Sequence, residues 1–245
     1  MFQIAWITLR RITEKSILVQ FGILALVLIY LGLGLDAVIM VDVGSEQSGL
    51  NVGWVFLTVF TVFWASVEIP REIDRKEVHV YLSKPITRFR YVLGKYFGMC
   101  GMVVAAEVVL MGIFAACMLV KHQTPSAGFW SGVARMALFL ILLNAICTAA
   151  SMLLSEVKAM VTVIIVVAMG AMAVVLIVLA WTSYDRAPAL LLAGAYHLMP
   201  DLFHYRWDPL ADLPAYLGLL AAYTAGWATL CLLIAWRMFE HMDLP

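Results

Sequence analysis

Residues 132–181 read GVARMALFLILLNAICTAASMLLSEVKAMVTVIIVVAMGAMAVVLIVLAW. Two apolar runs, Gly132–Leu154 and Ala159–Trp181, are separated only by Ser155-Glu156-Val157-Lys158. Each exceeds the roughly 20 residues that, at 1.5 Å rise per residue, cross a hydrocarbon core about 30 Å thick. So short a link predicts a tight antiparallel helical hairpin. Lipid offers backbone N–H and C=O groups no partner, so a spanning segment is either a helix or part of a closed barrel. The period-two alternation of barrel strands is missing here. The stretch therefore predicts an all-α protein that crosses a membrane more than once.

Outward from this hairpin, four further runs are long and apolar enough to span: Ile17–Met40, Val52–Ile69, Tyr96–Val120 and Pro214–Trp236. The expected architecture is thus a polytopic protein of six transmembrane helices forming one membrane domain over residues 1–245. The second span is the shortest, and Glu68 softens its inner edge. Composition agrees: 64% of the 245 residues are apolar and 13% charged, with a mean hydropathy of +0.96. Soluble domains are nearer half apolar and a quarter charged, so lipid must solvate much of this surface. The formal net charge is zero, which gives no hint of a nucleic-acid partner. The first span reads as retained, because its apolar run is too long for a signal-peptide core and no small-residue cleavage site follows.

Orientation follows from Lys and Arg. With the N-terminus inside, twelve of the sixteen fall in cytoplasmic segments, among them Arg71, Arg75, Lys76, Lys84, Arg88, Arg90 and Lys95 between the second and third spans. The positive-inside rule then places both termini in the cytoplasm. Outside the spans, Phe2, Ala5, Trp6, Leu9 and Ile12 share a helical face, which suggests an N-terminal interfacial helix over residues 2–14 or the ragged start of the first span. Before the last span, the apolar stretch Ala189–Met199 lies between Pro188 and Pro200 and is too short to cross. It predicts an outer re-entrant or gate segment over about 188–208.

The loop Glu68–Gly98 reads EIPREIDRKEVHVYLSKPITRFRYVLGKYFG. Its first part is dense in charge at helical spacing, with Arg71–Asp74, Glu72–Arg75 and Glu72–Lys76 three or four apart. Pro85 ends the pattern, since the residue before proline disfavours helix, and Thr87 is placed to cap the third span. These residues predict a stiff surface helix over about 71–83, or else a solvated loop enriched in cations by topology alone.

The run Leu82-Ser83-Lys84-Pro85-Ile86-Thr87-Arg88, followed by Leu93-Gly94-Lys95, resembles the cytoplasmic signature of type-2 permeases of ATP-binding-cassette (ABC) transporters. The ending Phe239-Glu240-His241-Met242-Asp243-Leu244 is similar to that family's Phe-x-x-x-Asp-Leu tail, whereas Lys76-Glu77 stands where many members have a small pair. The resemblance implies a multi-pass protein of the cell (inner) membrane whose residues 71–83 form a coupling helix. Arg71, Glu72, Asp74, Arg75, Lys76, Glu77, Pro85 and Arg88 would belong to the surface that docks on a separate nucleotide-binding ATPase subunit. It also implies pairing with a second copy or a homologous permease.

This chain has no GxxxxGK[ST] sequence, since Gly94-Lys95-Tyr96 lacks both the upstream glycine and the Ser/Thr. It is therefore expected not to be an enzyme and to hold no cofactor, with ATP and magnesium on the partner. Glu107 is the outstanding intramembrane charge. With Asn144 it is a candidate to line a translocation path, or it hydrogen-bonds between helices, for instance with Asn144. His197, Asp201, His204 and Asp208 are metal-capable at spacings of four, three and four, but Pro200 interrupts them and the stretch also reads as a polar rim. Cys100, Cys117, Cys147 and Cys231 lack CxxC spacing and read as packing residues. Two further function classes remain open: a membrane subunit that transmits ATP-driven motion to an extracytoplasmic assembly without moving a solute, and an intramembrane enzyme. The topology is testable by cysteine accessibility. Lys76→Cys and His241→Cys are expected to label from the cytoplasm, and Ser45→Cys and Trp207→Cys from outside. Cytoplasmic labelling at position 45 overturns the assignment.

Overall fold

The computed structural model describes residues 46–75, 87–120, 122–171, 205 and 214–241. The regular elements among them are five helices: α1 (Glu46–Asp74), α2 (Arg88–Val120), α3 (Ala127–Leu153), α4 (Glu156–Ala171) and α5 (Pro214–Glu240). Four of these, α1, α2, α3 and α5, are long and apolar enough to cross a membrane. Among the described residues the fold is all-helical, and its four long apolar helices mark a membrane-embedded protein. The expected interfacial helix (2–14), first span (17–40), remainder of the fifth run (172–181) and outer segment (188–208, except Tyr205) lie outside the described residues, as do positions 76–86 of the charged loop.

Capping chemistry, rather than the edge of the apolar run, sets the helix ends. α2 starts at Arg88 instead of Tyr96, because Thr87 Oγ1 accepts the Arg90 N–H at 3.4 Å, as its sequence position predicts. α3 starts at Ala127 instead of Gly132. Ser126, in extended geometry (φ −76°, ψ 167°), accepts the Phe129 N–H at 3.2 Å. The Glu46 carboxylate from the start of α1 receives both the Ser126 N–H, at 2.7 Å, and its hydroxyl, so one acid joins the beginnings of two helices. At the end of α2, His122 takes the left-handed conformation (φ 59°). There His122 N–H donates to Leu119 O and Gln123 N–H to Met118 O, both at 3.0 Å. This is a Schellman stop built without glycine.

The largest departure from expectation is at the inner end of α1. The sequence reading places the end of the second span at Ile69, its inner edge softened by Glu68, with a separate helix starting at Arg71. Instead α1 runs through Pro70 to Asp74, so Arg71–Asp74 form its last turn. A proline inside a helix removes one backbone donor and crowds the preceding turn. Continuing the helix past it requires tertiary support, which the side chain of Glu72 provides, as described below. The α3–α4 link is also shorter than predicted: α3 ends at Leu153 and α4 begins at Glu156.

α3 is the hub and packs against all four other helices. Its buried hydroxyls turn back on their own backbone, Thr148 Oγ1 donating to Asn144 O at 2.7 Å and Ser151 Oγ to Thr148 O at 3.0 Å. Aromatic contacts fill the seams, with Trp54 of α1 on Phe139 of α3 at 4.6 Å between centroids and Phe139 in turn on Tyr205 at 5.9 Å. Where helices approach most closely, glycine stands. A Cβ on Gly49 would lie 2.0 Å from the Phe114 ring, and one on Gly132 would lie 2.7 Å from Leu50. Small residues serve this purpose in membranes, where van der Waals contact holds helices together. Gly112 has nothing within 4 Å of such a Cβ. Gly49→Ala is expected to lower the thermal midpoint of the detergent-solubilised protein, whereas Gly112→Ala, gaining up to about 1 kcal/mol of helix propensity, leaves it unchanged or raises it.

Candidate functional site

One end of the bundle gathers the charged side chains. Glu72, in the last turn of α1, and Lys95, in the third turn of α2, are 3% and 1% exposed. The Lys95 ammonium donates to Glu72 Oε1, and the hydroxyl of the fully buried Tyr91, one turn before Lys95, donates to Oε2 at 2.8 Å. Both carboxylate oxygens are therefore engaged by α2. Taking two ions out of water costs several kcal/mol each, a cost offset only by close pairing and further hydrogen bonds, and Tyr91 supplies one of these. The Tyr91 ring stacks on Phe239 of α5 at 5.5 Å.

Around this buried pair lie more exposed contacts. Arg88 donates to the carbonyls of Phe239 and Glu240 at 2.7 and 2.8 Å, filling acceptors that the end of α5 leaves open, and its guanidinium lies 5.6 Å from the Phe239 ring centre. Arg71 donates to Glu156, at the start of α4, at 3.1 Å. Their side chains are 57% and 32% exposed, so this pair contributes little to stability. The end of α1, the starts of α2 and α4 and the end of α5 are thus joined at one level. At the opposite level, Glu46 and Ser126 join the starts of α1 and α3. Consecutive helices alternate in direction, as a serpentine membrane chain requires.

The sequence-predicted residues divide accordingly. Arg71, Asp74 and Arg75 are exposed and Arg88 is half-buried, whereas Glu72 faces the bundle interior. Lys76, Glu77 and Pro85 lie outside the described residues. The proposed spacing partners Arg71 and Asp74 do not pair with each other; Arg71 pairs with Glu156 instead. Lys95 and Tyr91 were missed as members of a site. A lysine at the edge of an apolar run reads as a topology marker, and only the fold reveals that it points inward. Glu156 was read as part of a connecting link.

At mid-bundle, Glu107 is 2% exposed and its Oε1 has no hydrogen-bond partner. The suggested contact with Asn144 does not form. Asn144 Nδ2 instead donates to Tyr96 O at 3.3 Å and Cys100 Sγ at 3.1 Å, about two turns away along α2. Asn144 Oδ1 and, on α1, Thr61 Oγ1, Trp64 Nε1 and Ser66 Oγ are also buried without partners among the described residues. Three helices therefore turn open hydrogen-bonding valences inward. His197, Asp201, His204 and Asp208 lie outside the described residues, and the described residues hold no cluster of metal-capable side chains. Tyr205, within the expected gate segment, is fully buried and shares a 2.7 Å hydrogen bond with Thr224 of α5. Cys100, Cys117, Cys147 and Cys231 are free thiols.

Neither a protein-family model nor a curated protein sequence matches the chain.

The buried pair gives a direct test. Glu72→Ala leaves the Lys95 ammonium without its carboxylate, a loss of about 3–5 kcal/mol for pairs of this kind, and should lower the thermal midpoint sharply. Glu72→Leu combined with Lys95→Met removes both charges and is expected to recover most of that loss. If the double variant is as unstable as Glu72→Ala, the pair is not what holds α1 to α2.

Proposed function

We propose that this chain is the transmembrane permease subunit of an ABC transporter, a six-span protein of the cell membrane with both termini cytoplasmic. On this reading, a separate nucleotide-binding subunit binds ATP and magnesium, and its closure drives movement of a substrate through a pair of permease halves. The observation that carries the reading is the segment between α1 and α2. Its sequence holds the charged run after Arg71 and the Leu82–Arg88 signature, and its two roots are the helix ends joined by the buried Glu72–Lys95–Tyr91 cluster. On this reading, a force that a soluble partner applies between the two helices reaches both of them through that cluster, which ties the end of α1 to the start of α2. Arg88 extends the same connection to α5. Glu107 and the other unpartnered polar atoms of the interior are the candidates for contact with a polar substrate during passage.

The test changes charged positions that follow Glu72 and spares Glu72 itself. The tagged chain, purified in mild detergent from its own membranes, is expected to bring with it an ATPase bearing a phosphate-binding loop, with magnesium-dependent hydrolysis. Replacing Asp74, Arg75, Lys76 and Glu77 together by Ala keeps helix propensity high and leaves Glu72 paired with Lys95. It should preserve membrane insertion and thermal stability while the ATPase is lost from the preparation, or its hydrolysis no longer follows transport. Wild-type association with wild-type coupled activity in that variant refutes the assignment.

A further inference from the structure

Between α2, α3 and α5 the surface of the bundle is cut by an open groove of about 630 Å³, within the roughly 300–1,000 Å³ typical of ligand clefts. Three of its lining residues carry hydroxyls, and each has turned its hydroxyl to the backbone. Tyr96 Oη donates to Ile141 O at 3.3 Å, Thr224 Oγ1 to Leu220 O at 2.8 Å and Thr229 Oγ1 to Ala225 O at 2.7 Å. What the groove offers is hydrocarbon, including Phe97 and Leu233, which are 50% and 46% exposed. On α5 the lining runs from Ala221 to Leu233, about 18 Å at helical rise. That is close to one leaflet of a core about 30 Å thick and well short of a spanning helix.

The mouth of the groove lies at the charged end of the bundle. Phe89 of α2 and Trp236 of α5 meet there edge to face, with centroids 5.3 Å apart. Arg90 stands three and seven residues before Leu93 and Phe97, so it heads the α2 stripe that lines the groove, and Arg237 stands four residues after Leu233 on α5. Both arginines are exposed. The Arg237 guanidinium lies 5.1 Å over the Trp236 ring, and its contact with Glu240 is a loose 3.9 Å. An apolar channel one leaflet deep, an aromatic lip and two guanidinium groups follow one another in the order of a lipid's acyl chain, glycerol region and phosphate. Basic pockets between membrane helices select anionic headgroups by this charge complementarity.

We propose that the groove is a binding site for an anionic phospholipid, its acyl chain against Phe97, Thr229 and Leu233 and its phosphodiester between Arg90 and Arg237. The site is independent of coupling to an ATPase. The full-length chain, reconstituted in nanodiscs of phosphatidylcholine with a minor fraction of phosphatidylglycerol and then released for native mass spectrometry, is expected to retain phosphatidylglycerol preferentially. Arg90→Gln with Arg237→Gln should reduce that retention at least about tenfold and leave phosphatidylcholine retention unchanged, whereas Arg90→Lys with Arg237→Lys keeps most of it. Leu233→Trp, which fills the groove, should reduce retention of both lipids. Unchanged phosphatidylglycerol retention in either the glutamine or the tryptophan variant overturns the proposal. So does a photoreactive side chain at position 229 that crosslinks to a second copy, or to residues 17–40, in place of lipid.

Discussion

An ammonium and a carboxylate withdrawn together from water fix how α1 lies against α2. The pairing of Lys95 with Glu72 is short-ranged and directional, and Tyr91 occupies the second carboxylate oxygen. Sliding α1 by one turn would leave both charges buried and unpaired, at a cost of several kcal/mol that apolar contacts elsewhere along the seam do not impose. Apolar packing in a bilayer gives little register information by itself, because lipid tails solvate a displaced leucine as well as a neighbouring helix does. The pair is therefore better understood as specifying geometry than as adding stability. It also accounts for α1 continuing past Pro70, since Glu72 reaches its partners from the final helical turn.

The two ends of the bundle are organised on different principles. At one end a single acid, Glu46, ties the start of α1 to the cap of α3, and the close approaches at Gly49 and Gly132 bring α1 against α2 and α3. At the other end charge does the work over four helices, from the solvent-exposed Arg71–Glu156 contact inward to the dry pair. Between them α3 touches every other helix and keeps its buried hydroxyls bonded to its own backbone, so that Asn144 is the buried polar side chain through which it bonds to α2. The interior that results is mostly hydrocarbon with a few unpartnered polar atoms, Glu107 among them. That contrast is why a proposed path for a polar substrate leads there.

The membrane class was legible from apolar run lengths alone, and the four long helices fall where those runs predicted. Their ends were less legible. Thr87 could be recognised as a cap from its position after Pro85, but Ser126 draws on Glu46, 80 residues away in sequence, and His122 stops α2 where a glycine would have been the expected signal. Glu72 and Lys95 looked like members of a solvated charge cluster because a sequence does not show which face of a helix a charge occupies. Local spacing pointed Glu72 toward Arg75 and Lys76, while the fold turns it toward α2. The same limit hid the role of Tyr205, which reads as part of a polar outer segment yet is buried against Phe139.

The length of α2 has a consequence of its own. Its 33 residues make a rod about 50 Å long, against a hydrocarbon slab of about 30 Å. Tilting alone does not absorb the mismatch: even at 40°, near the upper end of observed tilts, the rod still covers about 38 Å along the bilayer normal. α2 must therefore project into the headgroup layer, and its projecting start carries Arg88, Tyr91 and Lys95. A bilayer that thickens or thins around the protein would change how much of that start is wetted. The local membrane thickness thus acts on the dielectric surroundings of the Lys95–Glu72 contact.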